Sequence, residues 1–241
     1  MLRRSMNAFG LSCHGVVFLA AAESDFAFPD PTTRARTLSD LRGCIDLCAE
    51  LGGRIVPIVP RPVGLLGPTA PRADEWGWLQ DGLAAGAAHA AAAGIKTGIE
   101  ALNRFEGYLF NRCADVVAFV SEIEHPGLGV VLDTFHMNIE EPNPATAILA
   151  AGDRLIDFQV ADSDRSAPGR GHVDWPALAN ALRAIDYRGA LTAELAPPIT
   201  SIDIKSGRAN SSAPPKSATH IDEPEFADQL RETADFLRDF L

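Results

Sequence analysis

Four oxygen-bearing side chains stand at the ends of short apolar runs in this sequence. The runs KTGIE, GVVLD, LIDFQ and ALTAE end at Glu100, Asp133, Gln159 and Glu194. Three carboxylates brought together would repel one another, so they need a cation or shifted protonation. All-oxygen ligands suit a hard divalent ion such as Mn²⁺ or Mg²⁺. The alternative interpretation is that each is an ordinary polar residue at a strand end.

The order of apolar runs indicates which elements would position these side chains. Strand-length runs lie at about residues 11–19, 54–60, 96–102, 128–133, 155–160 and 190–195. Helical patterns lie at residues 37–51, 81–93, 111–123, 145–151, 175–185 and 224–241. This alternation predicts parallel strands joined by helical crossovers. Because the carboxyl ends of barrel strands open on one face, the four side chains should converge there.

The composition argues against two classes of partner. The chain has 241 residues, with 21 Lys and Arg against 32 Asp and Glu, for a net charge of −11. A phosphate backbone would be repelled by this balance, so we expect no nucleic-acid partner. No stretch approaches the ~20 consecutive apolar residues of a membrane span, so we expect no membrane partner.

The N-terminus and the cysteines bear on the compartment. Two arginines followed by an apolar run imitate a secretory signal, but Ser12, His14 and Gly15 interrupt the run, which favours a core strand. The cysteines form no CxxC pair, which favours buried free thiols in a reducing cytosol over a zinc or catalytic role. The four are Cys13, Cys44, Cys48 and Cys113. We therefore expect a cytoplasmic protein.

Three segments together resemble a known superfamily. IEALNRFEGYLFN, LDTFHMNIEE and FQVADSDRSAPGRGHVDW are similar to the sugar isomerases/epimerases with a xylose isomerase-like TIM barrel. The branch they most resemble is the D-tagatose and D-psicose 3-epimerases. The resemblance implies a (β/α)₈ barrel that holds one divalent metal ion, Mn²⁺ first, with Mg²⁺ or Co²⁺ as alternatives.

The resemblance also implies a metal-ligand set. Glu100, Asp133 and Glu194 match ligands of the family, and Gln159 stands where the 3-epimerases have histidine. A Gln side chain offers a neutral carbonyl oxygen, which still suits a hard ion. Hydroxypyruvate isomerases of the superfamily resemble this chain in having Gln there. Asp162 replaces a Glu of the epimerases, and its shorter side chain is expected to act behind the ligands.

The same resemblance implies residues that act on the substrate. Glu100 and Glu194 match the acid/base pair of the family. The residues that match groups holding the hydroxyls and carbonyl of the sugar are Glu106, His136 and Arg165. For His136 and Arg165, the alternatives are a packed rim histidine and a solvated loop charge.

The barrel expected from the sequence is an α/β fold with six of its eight strand–helix units. The match to the superfamily starts near what would be its third strand, so we expect an N-terminally incomplete TIM-type barrel. Residues 1–241 are interpreted as one domain, in which the Ser-, Pro- and Lys-rich residues 200–222 form a flexible loop. A homo-oligomer is compatible with the sequence.

The expected activity is proton transfer beside a sugar carbonyl through an enediolate, with ketose 3-epimerisation as the first choice. Two alternatives stay open: a hydroxypyruvate isomerase-like aldose–ketose isomerase, and an inactive barrel that binds only metal or sugar. An abasic-site endonuclease shares the fold, but it needs a histidine-rich zinc cluster and a basic face. Six histidines and the net charge of −11 argue against it.

Overall fold

A computed structural model describes residues 2–21, 23–196, 223–238 and 240. The strands within these residues are β1 (Phe18–Leu19), β2 (Ile55–Val59), β3 (Lys96–Glu100), β4 (Leu128–Asp133), β5 (Leu155–Val160) and β6 (Leu191–Ala193). The α-helices are α1 (Leu2–Ala8), α2 (Pro31–Leu51), α3 (Arg72–Ala92), α4 (Cys113–Ile123), α5 (Thr134–Glu140), α6 (Pro144–Ala151), α7 (Trp175–Ala184) and α8 (Glu223–Arg238). The predicted loop at residues 200–222 lies outside the described residues.

The strands form one parallel sheet in the order β1-β2-β3-β4-β5-β6. Each strand pairs with the next one in the chain, so the helices between them act as the crossovers that parallel pairing requires. Strands β2 and β4 are buried along their whole length, as expected for a sheet covered on both faces. The predicted parallel α/β architecture with six strands is therefore confirmed.

Helix boundaries follow local capping chemistry. Helix α2 begins at Pro31, where the side chain of Asp30 accepts hydrogen bonds from the backbone N–H groups of Thr32 and Thr33. It ends at Leu51, and the next residue, Gly52, adopts a left-handed φ of 83° that favours glycine. The prediction placed its start at residue 37, because the apolar spacing is weak before that point.

None of the helices in the described ranges has the length and apolar character that a membrane crossing requires.

The first strand is much shorter than predicted. Residues 11–19 were expected to form a core strand, but regular pairing is confined to Phe18–Leu19, with an isolated bridge from Gly15 to Ile55. The side chains of Leu11 and Leu19 are largely exposed. Strand β1 is an edge of the sheet among the described residues, so the apolar run is paired on one side only.

Two glycines make room for an irregularity in β5. Val130 pairs with Leu155 and Val131 with Asp157, so Ile156 is an extra residue between them. A Cβ added to Gly98 or Gly129 would lie 2.7 or 2.6 Å from side-chain atoms of Ile156. The glycines on β3 and β4 therefore accommodate the bulged strand that carries one of the predicted site residues.

We predict opposite effects for the same substitution at two glycines. Gly129→Ala should destabilise the fold by about 1–3 kcal/mol, because the new methyl meets the backbone carbonyl of Arg154 as well as Ile156. Gly43→Ala on exposed α2 should stabilise it by up to about 1 kcal/mol, because nothing lies within 4 Å of the added Cβ. Urea denaturation measures both, and equal effects at the two positions would contradict this account of the bulge.

Candidate active site

The strand-end side chains converge at the carboxyl edge of the sheet. Glu100 and Asp133 are the last residues of β3 and β4, and Gln159 pairs in register with Asp133. Glu194 follows β6 directly, and its backbone N–H continues the ladder to the carbonyl of Val160 at 3.1 Å. Glu100, Asp133 and Gln159 are each at most 5% exposed. The register predicted from the sequence therefore brings these side chains together.

Arg165 is the counter-charge of this cluster. Its guanidinium donates to Asp133 Oδ2 through Nη1 and to Glu194 Oε1 through Nη2, the latter at 2.6 Å. The guanidinium also lies over the Phe135 ring, 4.7 Å from its centroid. Its backbone φ of 68° is left-handed, which a non-glycine residue adopts only when the surroundings hold it. The solvated loop charge considered as the alternative for Arg165 does not describe this side chain.

Asp162 holds the loop that delivers Arg165. Its carboxylate is fully buried and accepts hydrogen bonds from the backbone N–H groups of Ser163 and Gly169 and from Trp175 Nε1. These donors lower the pKa of Asp162 against the opposing effect of burial. Asp162 therefore shapes the loop behind the site, as expected for a residue one methylene shorter than Glu.

Helix α5, which the sequence did not predict, positions His136. Asp133 Oδ1 caps this helix by accepting from Phe135 N at 2.8 Å, so the helix starts at the strand end. His136 is 2% exposed, and its Nδ1 accepts hydrogen bonds from Asn103 N at 3.2 Å and from Asn103 Nδ2 at 2.8 Å. Its Nε2 lies 3.7 Å from Glu100 Oε1. With Nδ1 as the acceptor, the ring proton belongs on Nε2.

Glu106 lies on the loop after β3 and completes the predicted set. It is half-buried, and its Oε1 accepts from Asn103 Nδ2 at 2.8 Å. Its backbone carbonyl accepts from Gly64 N at 2.8 Å, which joins this loop to the one after β2. The structure therefore places the residues predicted for metal and substrate at one end of the sheet. Asn103 was missed, although it lies within the segment IEALNRFEGYLFN that carries the family resemblance.

Burial and mutual repulsion perturb the acids of the site. The pKa of Glu100 is raised well above its usual value by burial, then by Glu194 and Asp133, against the influence of Arg165. Burial raises the pKa of Asp133 to about 7, although Arg165 opposes the shift. Burial also raises the pKa of Glu194, but its side chain is 43% exposed, so solvent screening weakens the effect.

The pKa of His136 moves in the opposite sense. Burial lowers it to about 3, and the positive charge of Arg165 adds to the effect. The imidazole is therefore neutral at physiological pH, which agrees with its single ring proton on Nε2. Its charge would only appear under strongly acidic conditions.

The donor set fits a divalent cation. Gln159 Oε1 is buried and has no hydrogen-bond partner among the described residues, although buried carbonyl oxygens are normally paired. The guanidinium of Arg165 spans Asp133 and Glu194, so a positive charge already lies between these two acids. Oxygen donors of this kind suit a hard ion.

Geometry alone also groups His136 with two of the acids. Ligand atoms of Glu100, Asp133 and His136 lie within 4.8 Å of one another. However, a nitrogen that carries a proton has no lone pair for a metal, and Nδ1 already accepts two hydrogen bonds. Gln159 Oε1, which has a free lone pair, is therefore the better third donor.

Comparison with known proteins fixes the family. A model of the xylose isomerase-like TIM barrel matches residues 1–238. The chain belongs to the xylose isomerase-like TIM barrel family. The resemblance inferred from the three sequence segments is therefore confirmed, and the convergence of polar side chains at the strand ends is the feature by which this barrel fold forms active sites.

The proteins that this chain is similar to include several named ketose 3-epimerases. The chain is 34% identical over 190 residues to an L-ribulose 3-epimerase of Methylomonas sp., covering 78% of this chain and 66% of the relative. It is 46% identical over 100 residues to a D-psicose 3-epimerase of Enterocloster bolteae, covering 42% of this chain and 33% of that relative. The matched segments thus span one third to two thirds of these relatives.

The matches to solved structures cover nearly all of this chain and about four fifths of those structures. A D-psicose 3-epimerase of Clostridium cellulolyticum H10, solved with D-tagatose, superposes with a TM-score of 0.84 at 28% identity. The match covers 100% of this chain and 82% of that one. A Methylomonas sp. D-allulose 3-epimerase in complex with D-allulose also gives a TM-score of 0.84 at 28% identity, covering 99% of this chain and 80% of that one.

The raised pKa of Asp133 predicts a pH dependence of stability in the chelated protein. The folded state binds the Asp133 proton more tightly than the unfolded chain, so stability should fall as pH rises from about 4 to about 7. Asp133 contributes on the order of 4 kcal/mol at most. Asp133→Asn should flatten the fall, measured by urea denaturation in EDTA. The exposed Asp153→Asn is the control, and parallel profiles for wild type and Asp133→Asn would contradict the prediction.

Proposed function

We propose that this chain is a metal-dependent sugar epimerase whose preferred reaction is the 3-epimerisation of a free ketose. The proposal rests on two carboxylates, Glu100 and Glu194, which come from different strands. The charge of Glu194 acts on Glu100, and the Arg165 guanidinium interacts electrostatically with both. Epimerisation needs two acid/base groups on opposite faces of one carbon. The names of the relatives, ribulose, psicose and allulose 3-epimerases, support the ketose assignment.

The proposed cofactor is one divalent ion, with Mn²⁺ preferred over Mg²⁺ or Co²⁺. Glu100, Asp133, Gln159 and Glu194 would hold it, and the buried Gln159 Oε1, which has no hydrogen-bond partner among the described residues, supports this set. When bound, such an ion supplies Lewis-acid stabilisation of negative charge on the substrate oxygens. The hydrogen bonds from Arg165 to Asp133 and Glu194 would then weaken, and its guanidinium would contact the sugar.

The proton chemistry falls to the two glutamates. One of Glu100 and Glu194 removes the proton from C3 beside the ketose carbonyl, which leaves an enediolate. The other returns a proton to the opposite face of C3, which inverts that centre. If the proton returns to C2, the carbon of the former carbonyl, the product is a constitutional isomer with its carbonyl at C3 and not the C3 epimer.

Neutral and charged donors would orient the sugar. His136 donates a hydrogen bond from Nε2–H to the oxygen that gains charge, and Arg165 positions the neighbouring oxygen. Glu106 accepts a hydrogen bond from a sugar hydroxyl. The low pKa of His136 keeps it a hydrogen-bond donor of one proton and prevents it from competing as a general acid.

The compartment forms part of the proposal. All four cysteines are free thiols, and two of them, Cys48 and Cys113, are buried. Unpaired thiols fit a reducing compartment, so we propose that the reaction takes place in the cytoplasm.

The direct test is turnover of a ketose panel by the purified protein with Mn²⁺. We expect C3 epimers of D-fructose, D-tagatose or L-ribulose, with deuterium incorporated at C3 in D₂O, because the proton exchanges with solvent. Glu100→Gln and Glu194→Gln should each lower kcat by roughly 10²- to 10⁴-fold. Glu50→Gln, an exposed change of the same type on α2, should leave kcat unchanged. Turnover that survives Glu194→Gln or EDTA would refute the mechanism.

A hydroxypyruvate isomerase-like activity is the second candidate, and Gln159 is the residue that favours it. The same assay should therefore include hydroxypyruvate beside the ketoses. Turnover of hydroxypyruvate without ketose epimerisation would select this alternative. Metal binding without turnover of either class would select the inactive barrel.

Gln159 provides an independent test of the ligand set. Gln159→Met keeps the side-chain length but removes Oε1, so Mn²⁺ affinity should fall at least roughly 10-fold by calorimetry. Stability of the metal-free protein should change little or increase, because Oε1 has no partner there among the described residues. Unchanged Mn²⁺ affinity would remove Gln159 from the ligand set.

A further inference from the structure

Asn103 links Glu106, on the loop after β3, to His136, on helix α5. It is 1% exposed and lies three residues after the end of β3. Its Nδ2 lies 2.8 Å from Glu106 Oε1 and 2.8 Å from His136 Nδ1. Its backbone N–H also donates to His136 Nδ1 at 3.2 Å. One buried amide thus contacts both side chains.

The orientation of this amide follows from its fourth contact. Asn103 Oδ1 accepts from the backbone N–H of Phe105 at 2.9 Å, and a backbone N–H can only donate. The NH₂ end must therefore face the Glu106 carboxylate, which only accepts when ionised, and the ring nitrogen of His136. Its two hydrogens match these two acceptors.

The tautomer of His136 follows in turn. Two N–H groups of Asn103 point at Nδ1, so Nδ1 must present its lone pair and the proton must lie on Nε2. Nε2 is the nitrogen that lies 3.7 Å from Glu100 Oε1 and faces the acid cluster. The opposite tautomer would turn a lone pair toward the acids, where it would be repelled by them and available to a metal ion.

We propose that Asn103 is a positioning residue that fixes His136 as a neutral Nε2–H donor and holds the Glu106 carboxylate beside it. Asp at this position would be a poor substitute, although it has the same shape. A carboxylate would repel Glu106 and would favour a proton on Nδ1 of His136. The catalytic consequence rests on the proposed function, whereas the tautomer is a property of the protein alone.

The tautomer can be measured directly in the metal-free protein. Multiple-bond ¹H–¹⁵N spectra of ¹⁵N-histidine-labelled protein report which ring nitrogen carries the proton, and His136→Gln identifies the His136 signals among the six histidines. We expect wild-type His136 to show a proton on Nε2 and none on Nδ1. A proton on Nδ1 in the wild type would overturn the proposal without the need for any Asn103 variant.

The variant Asn103→Asp should move the His136 proton toward Nδ1. The exposed Asn180→Asp on α7 introduces the same charge elsewhere and should leave the spectrum unchanged. Asn111→Asp is the control for loop integrity, because Asn111 Nδ2 anchors the same loop to the carbonyls of Leu102 and Gly107 without contacting His136. Nitrogen shifts of His136 that are identical in wild type and Asn103→Asp would overturn the proposal.

Kinetics then test the consequence for the reaction. Asn103→Asp should lower kcat roughly 10- to 100-fold, as expected for a residue that orients another functional group. Asn180→Asp should not change it. A shifted tautomer with unchanged kcat would overturn the positioning role. If the wild type turns over no sugar, the proposed function fails, but the spectra still decide whether Asn103 sets the tautomer.

Discussion

The arrangement of this site depends on electrostatic repulsion among carboxylates that a parallel sheet delivers to one edge. Glu100 and Asp133 are nearly inaccessible to water, so each lacks the solvation that normally disperses its charge. The Arg165 guanidinium offsets part of the repulsion by contacting Asp133 and Glu194 together. Burial, together with repulsion between the acids, still raises the pKa values of Glu100 and Asp133, although Arg165 opposes the shifts. A divalent ion is the most direct physical remedy.

Much of the local structure holds the acids and the Arg165 guanidinium in contact. Asp133 ends β4, caps α5 through one oxygen and meets Arg165 through the other, so strand, helix and counter-charge share a single side chain. Arg165 reaches it from a left-handed backbone conformation. The buried Asp162 holds that loop with backbone and indole donors. These hydrogen bonds thus offset the conformational strain of the Arg165 backbone.

The sequence predicted the positions of the side chains that lie at the ends of strands. Glu100, Asp133 and Gln159 follow apolar runs, so their positions could be read directly from strand ends. Helix α5 was missed because it begins directly after Asp133, which both ends β4 and caps the helix, so no loop marks its start. Strand β1 was overextended because apolar character alone does not show whether a strand has partners on both sides. Asn103 carries no periodic signal, since its role depends on contacts with His136, far away in sequence.

The charge on each residue type in the site also has a physical logic. Another cation at His136 would neutralise the acids but would compete with a metal ion for them, and burial and Arg165 oppose that charge. A neutral imidazole donates one proton without changing the net charge. The neutral amide of Asn103 can fix that donor and still approach Glu106, where a carboxylate would be repelled. His136 and Asn103 therefore form hydrogen bonds beside the acid cluster without adding charge to it.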